Sequence, residues 1–121
     1  MIDIDNYDNQ NVFAKILRKE IPSEKVFEDS EIYAFKDISP QAPFHILVVP
    51  KQAFCSLDDF LNSADDKIIL NFFKKIKKIV NQENLKDGYR LITNVGKFGG
   101  QEVPHLHFHI LSGRHLGRLV P

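Results

Sequence analysis

The run His105-Leu106-His107-Phe108-His109-Ile110 limits the fold more than any other part of this chain. Side chains along a β-strand point to opposite faces with period two, so the alternation predicts a strand with three imidazoles on one face and Leu106, Phe108 and Ile110 on the other. Three titratable rings then stand in a row. Like-charged neighbours depress one another's pKa, which leaves at least one ring neutral near pH 7, a nucleophile beside an acid.

Three readings of the row compete. The histidines can form a polar sheet face, or hold zinc or iron as neutral imidazole ligands, although no carboxylate motif supplies a fourth ligand. The third reading is covalent phosphorus chemistry. In it His107 attacks, His105 and His109 hold and polarise the surroundings, and backbone amides of the neighbouring Gly99-Gly100-Gln101-Glu102-Val103 loop neutralise charge on phosphoryl oxygens. The paired glycines let a phosphate come close to the main chain.

The remaining elements point to one small α+β domain in a chain of 121 residues. Val12, Phe13, Ile16 and Leu17 recur at helical spacing behind a capping Asn11, with Pro22 beyond the end. Lys25–Glu28 and Glu31–Asp37 read as an antiparallel hairpin, with Ile32, Ala34 and Lys36 opposed to Tyr33, Phe35 and Asp37. After the two prolines of Ser39–Pro43, Phe44–Val49 reads as a buried central strand stopped by Pro50. From Ser63 the spacing predicts a longer helix in which Ser63 and Asp66 resemble a capping box. Ile69, Phe72, Phe73, Ile76, Ile79 and Val80 line its core face, and Lys67, Lys74, Lys75, Lys77 and Lys78 form a solvated one. Gly88 marks a helix stop, and Tyr89–Val95 reads as a second buried strand.

Composition narrows the function classes. Sixteen Lys and Arg balance sixteen Asp and Glu, whereas a nucleic-acid binder normally gathers a basic excess, so nucleic acid is not an expected partner. Cys55 is the single cysteine, which excludes an internal disulfide framework or a multi-thiolate zinc site and suits a reducing cytoplasm. We read it as inert core filler. The acidic, polar first residues do not resemble a signal peptide, and no apolar run is long enough for a membrane span.

The same residues carry a resemblance. The triad, together with Phe35–Lys51, Lys86–Gly96 and Gly99–Arg114 in the same order, resembles the histidine triad superfamily, and within it the bacterial type of the Hint-like purine nucleoside phosphoramidase branch. Coverage runs from about Val12 to Arg118, so the expected domain is 12–121, with 1–11 a short polar N-terminal segment. The resemblance implies an antiparallel sheet of about five strands with one short and one long helix, a homodimer, and hydrolysis of purine nucleoside phosphoramidates of the AMP-amine or lysyl-adenylate type. No cofactor is implied. His107 matches the nucleophile that forms a nucleotidyl-histidine, His109 the residue touching the phosphate, His45 an upstream member of the proton network, and His105 the support of the nucleophile. Asn94 matches a contact to the scissile phosphate region, Asp37 the holder of the ribose hydroxyls, and Phe13, Phe35 and Ile38 the base pocket. Two alternatives stay open: a nucleotide-sensing module with incidental hydrolysis, and dinucleoside polyphosphate hydrolysis as in the Fhit branch.

Departures from the pattern carry expectations of their own. Glu102 stands where vertebrate-like relatives have serine, and a carboxylate repels phosphate, so the loop amides are expected to make the phosphate contact. Asn11, Ala14 and Ala53 stand where some relatives place structural zinc ligands, so no metal is expected. Ser112 replaces a usual glycine, and the tail after it leaves amine preference open.

Overall fold

A computed structural model describes residues 2–120. In chain order the elements are α1 (Val12–Leu17), β1 (Lys25–Glu28), β2 (Ile32–Lys36), β3 (Phe44–Pro50), α2 (Leu57–Ser63), α3 (Asp66–Gln82), β4 (Arg90–Ile92) and β5 (Phe108–Ser112). The strands form one antiparallel sheet in the order β1-β2-β3-β5-β4, an α+β architecture.

Alternate residues of the central strands divide the core. Ile32, Ala34, Ile46, Val48, Phe108 and Ile110 pack with Phe60 of α2 and with Phe72, Ile76 and Ile79 of α3. Phe35, Leu47 and Val49 form a second cluster with Phe13 of α1. The pairings Leu47↔His109 and Ile46↔Ile110 fix which residue faces which cluster. The hairpin alternation inferred for β2 therefore holds, as does the stop at Pro50.

The helix starts differ from expectation. Asn11 does cap α1, its side chain accepting the Ala14 N–H at 2.9 Å. Ser63, however, ends α2, an element too short to show periodicity, which Ser56 caps and the wholly buried Phe60 pins. Ser63 Oγ donates to Asp59, and α3 begins after Asp65, whose carboxylate accepts the Ile68 N–H at 3.0 Å. α3 ends at Glu83 and Asn84, the latter left-handed at φ 59°, before Gly88 is reached. Lys75 leaves the solvated face: its ammonium sits 2.9 Å from Asp29 and 2.7 Å from Glu31, tying α3 to the β1–β2 turn.

Two strands are shorter than their sequence patterns. β4 stops at Ile92 because Thr93 turns its hydroxyl onto the His107 carbonyl at 2.7 Å. β5 begins only at Phe108, since the Leu106 N–H leaves the ladder for the Phe54 carbonyl at 2.8 Å. The Ser112 hydroxyl donates to the Gly88 carbonyl at 2.6 Å, so the residue that departs from the family glycine clips the end of β5 to the approach to β4.

Candidate functional site

On the sheet face opposite α3, the last strand of the triad and its entry loop meet β3. His107 and His109 rings lie 5.3 Å apart, and His45 faces His109 across β3–β5. His105 lies deeper, with no exposed surface. Only His109 of the triad lies within β5, but the alternation holds through the segment before it: Leu106 packs with Phe108 and Ile110 on the α3 side, while His105 and His107 both meet the Phe13 ring on the other. The His105 carbonyl accepts from the His107 ring, so the fully buried residue supports the next one.

Hydrogen bonds assign the tautomers, since a carbonyl only accepts and a backbone N–H only donates. His105 Nε2–H donates to the Pro50 carbonyl at 2.8 Å, leaving Nδ1 to accept the Tyr7 hydroxyl at 2.7 Å. His107 Nδ1–H donates to the His105 carbonyl at 2.7 Å, which leaves the Nε2 lone pair free. His45 Nδ1 accepts the Gln41 N–H at 3.0 Å, so its proton sits on Nε2 and is donated to His109 Nδ1 at 2.9 Å. His109 accordingly carries its own proton on Nε2. One free lone pair and one outward N–H thus stand on neighbouring rings.

Burial is the leading cause of the neutral state. It pushes His105 and His109 down to about 4, and for His109 the neighbouring His107 and His45 add to the effect. His107 is also lowered by burial, with the His105 carbonyl, Asp37 and Glu102 pulling the other way, and His45 is lowered by burial against the pull of Asp37. A neutral ring beside a protonated one, expected from mutual repulsion, is replaced by neutral rings ordered by direction of donation.

The surrounding residues divide between contact and support. Asp37 Oδ1 accepts the Ser39 N–H at 2.8 Å while Oδ2 lies 3.4 Å from His45 Nε2. Phe13 meets the His107 ring edge-on at 4.8 Å and Phe35 at 5.7 Å, both buried. Ile38 is separate from them, 95% exposed beyond Asp37. A separate cavity of about 270 Å³ is lined by Ile16, Leu17, Ile21 and Tyr33, the last of which stacks on Phe35 at 5.5 Å.

In the glycine loop, Gly100 is left-handed at φ 76°, and a Cβ on Gly99 would lie 2.5 Å from the Val95 carbonyl oxygen. Gln101 is buried: its Oε1 accepts the Gly96 N–H at 3.0 Å and its Nε2 donates to the Cys55 and Val103 carbonyls at 2.8 and 3.0 Å. Its side chain supports the loop, and so does the main chain: the Gly100 N–H donates to the Lys97 carbonyl at 3.1 Å and the Gln101 N–H to the Gly96 carbonyl at 3.0 Å. Glu102 is exposed, Val103 packs on the Phe13 cluster, and Asn94 is half-buried next to Thr93. Cys55 is buried and its thiol is pushed up by burial, as suits filler.

Asp37, His45 and His109 each bring one ligand atom within 4.8 Å of the others. The carboxylate missing from the sequence-level metal reading is therefore Asp37, although a metal would have to displace the proton shared by the two rings. Tyr7, Thr93 and the Gln41 N–H had no sequence signal: each acts through a single contact that only the folded chain creates.

Comparison with known proteins agrees with this geometry. The HIT domain model matches residues 18–116. An uncharacterized HIT-like protein of Rickettsia prowazekii is 49% identical over 94% of this chain and 96% of its own length. The purine nucleoside phosphoramidase of Escherichia coli is 43% identical over 92% of this chain and 93% of its own. The structure of a HIT family hydrolase from Clostridium thermocellum superposes with a TM-score of 0.84 at 36% identity, covering 94% of this chain and 99% of that one. With its histidines in this arrangement and relatives of this likeness along nearly its whole length, the chain belongs to the HIT domain family.

Proposed function

We propose that this chain is a metal-independent phosphoramidase that cleaves purine nucleoside phosphoramidates, AMP joined to an amine, through a nucleotidyl-histidine intermediate. The observation that carries the reading is the direction of the two His networks: a lone pair on His107 Nε2 and a proton on His109 Nε2. The 43% identity to the Escherichia coli purine nucleoside phosphoramidase supports the same substrate class.

In this mechanism His107 Nε2 attacks the α-phosphorus and the bond to the amine nitrogen breaks. That nitrogen cannot leave as an anion at pH 7, and a neutral His109 has no proton to spare. The phosphoramidate nitrogen therefore takes its proton from solvent and departs as a neutral amine, while the His109 Nε2–H donates a hydrogen bond to the phosphoryl oxygen. Water then attacks phosphorus, its proton passing to the expelled amine, the His107–phosphorus bond breaks to restore the neutral ring, and AMP leaves. His105 supports His107, and His45 holds His109. Loop amides of Glu102 and Val103, with Asn94, meet the phosphate as preorganised donors, whereas the Gly100 and Gln101 N–H groups, expected to join them, already donate to the Lys97 and Gly96 carbonyls at 3.1 and 3.0 Å and shape the loop instead. Asp37 accepts from the ribose hydroxyls, and Phe13, Phe35 and Ile38 receive the purine, which would cover the exposed Ile38.

The same proposal places the protein in the cytoplasm as a homodimer. Among the described residues the outer edge of β4 carries no partner strand, and Tyr89 and Leu91 beside it and Leu70 on α3 are exposed.

Steady-state hydrolysis of a fluorogenic adenosine phosphoramidate tests the reading, with chelator in parallel. His107→Ala is expected to lower kcat by at least about 10³-fold while AMP still binds, chelator having no effect. Retained turnover rejects the nucleophile assignment. Wild type that binds AMP without turnover rejects the enzyme in favour of a sensing module, and a preference for diadenosine polyphosphate rejects the substrate class.

A further inference from the structure

The segment before α1 reaches into the site. Ile4 Cδ1 lies 3.7 Å from where a Cβ on Gly96 would stand, at the foot of the glycine loop, and Tyr7 packs edge-on against the His105 ring at 5.6 Å. The cap of α1 holds this segment in place, because the Asn11 N–H and side-chain amide both donate to the Asp8 carbonyl, at 3.2 and 2.8 Å.

We propose that Tyr7 is a positioning residue for the nucleophile: its hydroxyl, 2.7 Å from His105 Nδ1, locks the ring whose own backbone carbonyl orients His107. The inference rests on the assignment of His107 as nucleophile. His105 has no exposed surface, so water does not serve Nδ1, and Tyr7 is the donor that bonds it. With Nε2–H committed to Pro50, both ring nitrogens are satisfied and one tautomer is selected.

Without the hydroxyl, Nδ1 is a buried acceptor with no partner. Moving the proton to Nδ1 turns the Nε2 lone pair onto the Pro50 oxygen, and the ring shifts away from it. The His105 carbonyl moves with its residue, and His107 loses the acceptor that keeps its proton on Nδ1 and its lone pair on Nε2. The chain of effects runs Tyr7, His105, His107, and none of it touches the nucleotide.

Tyr7→Phe keeps the ring packing and removes only the hydroxyl. Expected is a fall in kcat of about tenfold with KM held within about twofold. Nitrogen-15 spectra of the imidazoles should show His105 as the pure Nε2–H form in wild type and a mixture in the variant. In a His105→Gln background the Tyr7→Phe change should cost less than about twofold, since the two act as a unit. Unchanged kcat, or a fall accompanied by lowered Tm and unaltered imidazole tautomers, overturns the proposal. If wild type does not turn over the phosphoramidate, the function proposed above fails, and the spectra alone decide Tyr7: an unaltered His105 tautomer in Tyr7→Phe rejects it, a mixed one upholds it.

Discussion

The two faces of the central sheet are built from the same strands and differ in nearly everything else. Ile46 and Ile110 pair across β3–β5 and are fully buried against α3, whereas the next pair, Leu47 and His109, looks the other way into the site. A slip of one residue would exchange the two sets, so the apolar face fixes the register on which the histidines depend. One face contributes stability by removing apolar surface from water. The other costs stability, because it keeps titratable rings neutral inside the protein. The proposed chemistry belongs to the face that the fold must hold against its own preference for solvent.

The largest effect that separates the faces comes from Phe60→Ala. Phe60 has no exposed surface and meets Phe54 and Phe72 edge-on at 5.0 and 5.3 Å. Its removal leaves a cavity under the α3 face and is expected to cost about 3–5 kcal/mol in urea denaturation. Turnover per folded molecule should stay near wild type, in contrast to His107→Ala. A Phe60→Ala protein that is folded yet inactive would show that the two faces are not separable.

The next effect is a pH dependence that belongs to the histidine face alone. His105 titrates at about 4 in the folded protein against 6.5 for an unperturbed ring. Between those values the unfolded chain binds protons that the native state excludes, so stability is complete above 6.5 and falls as pH drops towards 4. A single excluded imidazole gives about 1.4 kcal/mol per pH unit, or about 3 kcal/mol across the window for His105. His45, His107 and His109, lowered in the same direction, steepen the slope. Denaturation at pH 7, 6 and 5 reads it. Phe60→Ala should lower the curve without changing its slope, and His105→Gln should flatten it by about one proton; an unchanged slope in the second variant would place the titration elsewhere.

The two faces were also unequally legible. The α3 face followed from periodicity, because Phe72, Ile76, Ile79 and Val80 repeat at helical spacing and β3 is a continuous apolar run. The triad was legible as alternating histidines, and the family resemblance supplied roles for His45, Asp37 and Phe13 that one isolated residue does not announce. What stayed hidden was irregular backbone. The exit of Leu106 from the ladder to Phe54, which shortens β5 to start at Phe108, depends on a contact 52 residues away in sequence. The paired glycines announced a loop whose main chain could turn closely, but its shape is set by the three hydrogen bonds of the Gln101 side chain, which the sequence reading had placed among the nucleotide contacts. Helix α2 was missed for a related reason: seven residues with one wholly buried side chain do not form a pattern.

Glu102 gives the smallest expected effect and the finest test of how the histidine face handles charge. Its carboxylate is exposed, pulls the His107 pKa upward and makes no hydrogen bond among the described residues. Two consequences of Glu102→Ala therefore act in the same direction: a negative charge near the phosphate disappears, and His107 is held neutral more firmly. Neither removes a donor, because the loop amides remain and Gln101 still anchors them. kcat/KM should change by less than about threefold, the gain appearing in KM at low ionic strength and fading with salt as an exposed charge is screened. A loss of 10-fold or more, on the order of 1.4 kcal/mol of transition-state stabilisation, would instead make the Glu102 side chain a working part of the site and withdraw the phosphate contact from the backbone.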